Sequence, residues 1–162
     1  QERVLLTVEV SQFEKADASE NFERTLEVVA SLAIQSYQRG YAVGLVTNGV
    51  VKGGPFFVSM GRSPQQLASI LEILARLKMR AEANLVDILN RTLESPWSLS
   101  GVHFANEPDE ETLDTAHLFA HSRIPMIFVG CVSQPQWEIE GHRLGAKVYC
   151  LDEICIEEAL KP

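Results

Sequence analysis

Hydrophobic positions along this chain recur in two periods, and the period switches again and again. The stretch Val4 to Phe13, "VLLTVEVSQF", begins as an apolar run of strand length. A polar stretch, "SQFEKADAS", reads as a loop. Phe22, Leu26, Val29, Ala33 and Tyr37 then recur every three or four residues, the spacing of one helix face, and Gly40 supplies the stop. "YAVGLVT" predicts a second buried strand. The Gly-rich "NGVVKGGP" predicts a turn that folds the chain back into a short edge strand over Phe56 to Ser59, and a return so short forces the antiparallel sense.

The second half repeats the alternation. Ser63 is placed to cap a helix, Pro64 fits its first position, and Gln66 completes a capping box; Leu67, Ile70, Leu71 and Leu74 form the stripe to be buried. A helix around "ANLVDILNRTL", ending near Pro96, precedes the strand "SLSGVHFA". A helix from about Pro108 carries Asp109, Glu110 and Glu111 in its first turn, where the helix dipole favours acids. "PMIFVGCV" reads as a strand. Ser133 and Gln136 predict a further capping box for a helix closed by Gly145, and "KVYCL" reads as the last strand. This order predicts a three-layer α/β fold: a doubly wound, mostly parallel sheet of about six strands with one antiparallel edge strand. Leu5, Val29, Leu45, Leu71, Phe104, Ile127 and Val148 are the expected core. Right-handed crossovers put the loops that begin at Ser11 and near Asn106 side by side at the topological switch point, the usual ligand crevice of such sheets. Thr7, Glu9 and Ser11, spaced by two, then share the strand face that leads into it.

Composition narrows the function. A chain of 162 residues, 46% hydrophobic, can bury a core as a single domain over residues 1–162. Its 22 acidic against 14 basic residues give a formal charge of -8, which argues against nucleic acid and anionic lipid as partners. No apolar run reaches the roughly 20 residues of a membrane span, and "QERVLL" lacks the features of a signal peptide. A start without Met that enters a strand almost at once suggests a piece of a longer protein. Cys131, Cys150 and Cys155 form no close pair and read as ordinary thiols. His117 and His121 lie four apart on a helix, yet the HExxH pattern of zinc hydrolases is missing. "NGVVKGGP" lacks the order of a phosphate-binding loop, and no catalytic set of nucleophile, base and acid is recognisable.

"ENFERTLEVVASLAIQSYQRGYAVGLVTNG" followed by "MGRSPQQLASILEILARL" resembles the C-terminal half of the DUF58 family, whose members carry a von Willebrand factor A-like domain. The resemblance covers Val4 to about Lys78 most closely. It implies a bacterial or archaeal protein, encoded beside a MoxR-type AAA+ ATPase, whose membrane-spanning segments lie outside this chain. This chain would then be the cytoplasmic domain of a membrane-anchored protein. Von Willebrand A domains hold a divalent cation through D-x-S-x-S after the first strand, a Thr from a second loop and an Asp after the fourth strand; such a cation takes oxygen ligands and a partner's carboxylate. Here the first motif reads Thr7-x-Glu9-x-Ser11, or Glu9-x-Ser11-x-Phe13. Ser63 would replace the Thr, and Asn106 and Glu107 lie near the expected Asp. Without the leading Asp, dehydration of a cation loses its main electrostatic return, so the metal-ion-dependent adhesion site reads as degenerate, with no cofactor and at most weak Mg²⁺ binding.

The resulting expectation is a protein-interaction module, not an enzyme. It would work with a MoxR-type AAA+ ATPase or another protein in the assembly or maturation of larger complexes, through Thr7, Glu9, Ser11, Ser63, Asn106 and Glu107. The alternative is a Rossmann-type small-ligand-binding domain or enzyme using the same crevice. Plain strand-end, capping and turn roles for Glu9, Ser11 and Asn106 are the structural reading beside both.

Overall fold

The computed structural model describes residues 2–54, 57–93 and 97–152. In chain order they form β1 (Arg3–Val8), α1 (Ser11–Ala16), α2 (Ser19–Gln38), β2 (Ala42–Thr47), β3 (Gly49–Val51), β4 (Phe57–Gly61) and α3 (Pro64–Arg76). There follow β5 (Leu77–Ala81), α4 (Leu85–Thr92), β6 (Leu99–Ala105), α5 (Glu110–His121), β7 (Met126–Gly130), α6 (Pro135–Arg143) and β8 (Lys147–Cys150). Six strands make the main sheet in the order β4-β2-β1-β6-β7-β8, with every pairing parallel except that of β4 with β2. The chain moves one way from β1 to β2 and the other way from β6 to β8. The reversal falls between β1 and β6, where Val8 is level with Phe104. This is the doubly wound α/β architecture of Rossmann-like and von Willebrand A-like folds.

Two apolar cores flank the sheet. Val4, Leu6 and Val8 of β1 point to one side, against Val29 and Leu32 of α2 and Ile70, Ile73 and Leu74 of α3. Leu5 points to the other, with Leu85, Ile88 and Leu89 of α4, Phe119 of α5 and Trp137 of α6. Strands buried on both faces read as unbroken apolar runs, which is why β1 and β2 were legible. Gly40 and Gly145 close α2 and α6 at φ +80°, a left-handed conformation that glycine adopts without penalty.

Several local expectations differ from the structure. "SQFEKADAS" is not simply a loop: Ser11 to Ala16 wind into α1, ended by Asp17 at φ 51° and anchored by fully buried Phe13. One apolar residue inside so short a helix leaves no period to read. The Gly-rich turn contains β3, which pairs antiparallel with β5 in a separate two-stranded sheet. β5 begins where Leu77 turns extended, and Lys78 and Arg80 face outward from it. Ser63 caps α3 by accepting from the Gln66 N–H at 3.2 Å, but the Gln66 side chain goes instead to the Ser59 carbonyl, 3.0 Å away on β4. Gln134, not Ser133, is the N-cap of α6, and the Ser133 hydroxyl donates to Glu138. Pro96, Phe56 and Cys155 lie outside the described residues.

Of the expected core, Leu5, Val29, Leu45 and Phe104 are buried. Leu71, Ile127 and Val148 are only half-buried. Ile73 takes the position on α3 expected for Leu71, because the stripe follows Ile70, Ile73 and Leu74. Ile127 packs at the margin of the first core, and Val148 lies on β8, the edge strand of the sheet. No helix among the described residues is long and apolar enough to cross a membrane. Ile70→Ala should therefore cost about 2–5 kcal/mol by opening a cavity, and Leu71→Ala less than half as much. Urea unfolding of both variants checks the assignment, and equal losses would contradict it.

Candidate functional site

β1 and β6 end side by side, and the residues that follow them determine what the crevice contains. Thr7 and Glu9 share one face of the first strand, as their spacing requires, and both are fully buried. Glu9 Oε2 accepts from the Gln12 amide at 2.7 Å and from the Thr112 hydroxyl at 2.7 Å. Its other oxygen, Oε1, is enclosed and has no hydrogen-bond partner among the described residues. His103, level with Thr7 on β6, places Nε2 at 3.4 Å from Glu9 Oε2 and Nδ1 at 2.7 Å from Thr7 Oγ1. The Thr7 hydroxyl has two acceptors within reach, His103 Nδ1 and the Val102 carbonyl at 3.4 Å, and a proton on Nε2 would be donated to Glu9 Oε2. The His103 ring also packs on Phe128, with centroids 5.1 Å apart.

Gln12 is the centre of this cluster. Its amide nitrogen lies 2.7 Å from Glu9 Oε2, 2.8 Å from Asp109 Oδ1 and 2.6 Å from Thr112 Oγ1, while its amide oxygen accepts from the Asn106 N–H at 3.2 Å. The opposite polarity of these neighbours fixes which end of the amide points where. Asp109 and Thr112 are held for this contact by a reciprocal capping box at the start of α5: Asp109 Oδ1 accepts from the Thr112 N–H, and Thr112 Oγ1 accepts from the Asp109 N–H. Thus a neutral amide sits among oxygens of two carboxylates, the surroundings a cation would otherwise be expected to occupy.

A second buried amide closes the β2 side. Asn48 Oδ1 accepts from the Val10 N–H at 2.8 Å, and its Nδ2 donates to Ser11 Oγ and the Ala83 carbonyl, both at 3.0 Å, with Glu111 Oε1 at 3.4 Å. Glu111 also accepts from the Leu85 N–H. Burial, followed by repulsion from Glu9, pushes the Glu111 carboxyl above its ordinary value of 4.5, against the opposing hydrogen bonds from Leu85 and Ser11. Burial likewise raises the Cys131 thiol, which lies 3.3 Å from the Thr25 hydroxyl and so is a weak nucleophile.

The structure therefore brings together Thr7, Glu9, Ser11 and Asn106, all buried, with Glu107 exposed at the rim and hydrogen-bonded by Gln134 at 2.5 Å. Asn106 Oδ1 accepts from Asn21, and its carbonyl accepts from the N–H groups of Cys131 and Val132. Ser63 is not part of the group. Because β4 runs antiparallel, Gly61 is level with Val43 near the start of β2, so Ser63 lies at the opposite end of the sheet. The cluster also contains Gln12, Asn48, His103, Asp109 and Thr112, none of which the sequence singled out as site residues. The one available signal was His103, a polar residue between Val102 and Phe104 in a strand buried throughout.

No three His, Cys, Asp or Glu side chains among the described residues converge in a metal-ligating arrangement. A cavity of about 380 Å³ opens elsewhere, between β4 and α3, lined by Val51, Phe57, Val58, Ile73 and Arg76. No protein-family model matches this chain, and no curated protein is significantly similar to it.

Two outcomes test the cluster. Gln12→Ala should destabilise the fold by about 1–3 kcal/mol, since it strips donors from buried acceptors, and Gln12→Glu should destabilise more at neutral pH than at pH near 5. Chemical unfolding at both pH values measures this. For Glu111 the sign follows from the raised folded-state value. Its contribution to stability is complete while the group is protonated in both states, below about 4.5, and is lost as the pH rises through the folded value. Glu111→Gln should therefore flatten the fall in stability as pH rises from about 4.5 toward neutrality. An unchanged slope in unfolding titrations would assign the pH dependence to another group.

Proposed function

We propose that this domain is a protein-interaction module of the von Willebrand A type, whose degenerate adhesion site recognises a partner without a bridging cation. The observation that carries this reading is the Gln12 amide, whose nitrogen lies within hydrogen-bond reach of Glu9 Oε2, Asp109 Oδ1 and Thr112 Oγ1. Glu9 Oε2 and Asp109 Oδ1 already have the Gln12 amide as donor, so a cation bound to those oxygens would have to displace Gln12 and desolvate in a closed site. What remains for recognition is the acidic rim: exposed Glu107 and Glu110 with half-buried Asp109 and Glu111 above the start of α5. Such a rim attracts an arginine or lysine of a partner through charge-assisted hydrogen bonds. A MoxR-type AAA+ ATPase is the partner class proposed, and complex assembly or maturation the process, on the strength of the resemblance in "GYAVGLVTNG" and "GRSPQQL".

The filled crevice weighs against the alternative of a small-ligand or catalytic site at the same switch point, because a substrate would need the space that Gln12 and Thr112 occupy. Binding of the neighbouring ATPase measured in EDTA tests the proposal. Affinity should be the same with and without Mg²⁺, and Glu107→Lys combined with Glu110→Lys should weaken it about tenfold or more, mainly through slower association. Loss of binding in EDTA, or micromolar Mn²⁺ affinity by calorimetry, would restore a functional metal site and defeat the reading.

A further inference from the structure

The end of the domain opposite the crevice has the opposite character. β1, β2, β6, β7 and β8 all start there, and α2, α4, α5 and α6 run back to it. The connections at this pole present Arg3, Arg39, Arg62, Arg123 and Lys147, and Glu2 is their one acid among the described residues. Trp97, on the connection into β6 at the same pole, is 82% exposed. Its backbone is fixed: the Arg3 guanidinium donates to the Trp97 carbonyl through Nε at 3.0 Å and Nη2 at 2.6 Å, and Ser98 at φ 53° turns the chain into β6.

Compensation of helix dipoles accounts for part of this. Arg39 and Arg123 follow the carboxyl ends of α2 and α5, where cations are favoured. It does not account for Arg62, which precedes the N-cap of α3, where a cation is disfavoured, and whose Nε is buried with no hydrogen-bond partner among the described residues. Nor does it account for an indole held out into solvent. An exposed aromatic amphipathic side chain at a pole whose connections carry cations is the composition of surfaces that lie on the headgroups of acidic lipids.

We propose that this pole docks on an anionic phospholipid surface, with Trp97 entering the interface and exposed Arg123 and Lys147 pairing with headgroup phosphates. The net charge of -8 does not oppose this, because it averages two unlike ends. The acidic rim stands beyond the far end of β1, about 20 Å away along six residues, against a screening length of about 8 Å at physiological ionic strength. From β4 to β8 the pole is about 24 Å wide, five strand spacings, so its cations can meet several headgroups at once.

The test is co-sedimentation of the 162-residue chain with vesicles of phosphatidylcholine alone or with about 30% phosphatidylglycerol, read together with tryptophan emission. The chain has two tryptophans, and Trp137 is only 7% exposed, so a blue shift on binding reports on Trp97. Binding should require the acidic lipid and weaken with salt. Arg123→Gln and Lys147→Gln should each reduce it about fivefold, the equivalent of about 1 kcal/mol per charge. Trp97→Ala should reduce it about tenfold and abolish the shift. No binding to acidic vesicles, equal binding to neutral ones, or binding with unchanged emission would overturn the proposal. Capture of heparin or duplex DNA by the same residues, without vesicle binding, would assign the pole to a different polyanion and overturn it as well.

Discussion

A carboxylate buried at the end of the central strand is the constraint around which the upper half of this domain is arranged. Glu9 is fully enclosed, and a carboxyl group in such a place is tolerable only if hydrogen-bond partners reach it. They come from three separate elements: Gln12 from α1, Thr112 from α5 and His103 from β6. Each is fixed in turn by something else, Thr112 by the capping box with Asp109 and His103 by Thr7 and Phe128. Meeting the needs of one side chain thus ties the first helix to the second half of the chain. The orphan Glu9 Oε1 shows that the arrangement is not complete, and an unsatisfied buried oxygen carries a cost that the neighbouring apolar layers must offset.

How much of this the sequence revealed depended on the range of the signal. The alternation of periods gave the layers, the parallel sheet and the antiparallel β4, because each rests on residues within one element or one turn. α1, β3 and β5 were hidden: six, three and five residues are too few to establish a period, and β3 and β5 are stabilised chiefly by each other. For the site, chain topology sufficed to locate Glu9, Ser11 and Asn106. It failed for Gln12 and Thr112, whose partners lie about a hundred positions away and whose local surroundings resemble any polar loop or helix start. Ser63 was misplaced for a geometric reason, since reversing the direction of one strand moves its exit loop to the other end of the sheet.

The two ends of the sheet are chemically distinct, and the direction of the chain explains why. In a parallel sheet every strand enters at one end and leaves at the other, so helix carboxyl termini gather where strands start and helix amino termini where they finish. Acids at the start of α5 and cations after α2 and α5 follow that polarity. The proposed protein-binding rim and the proposed lipid-facing pole thus lie on opposite faces, and a domain resting on a membrane by one would hold the other away from it.

Pairing of β1 with β6 joins Arg3 to Leu99, ninety-six positions apart in the chain. A ribosome adding about 5–20 residues per second delivers β6 some 5–20 s after β1 has emerged. During that interval β1 has only β2 to pair with, its other edge bare, and the Glu9 carboxylate has neither His103 nor Thr112 to receive it. The nascent amino-terminal half therefore passes through a stage in which an apolar strand is an open sheet edge, the kind of surface that chaperones cover and that competing chains can capture.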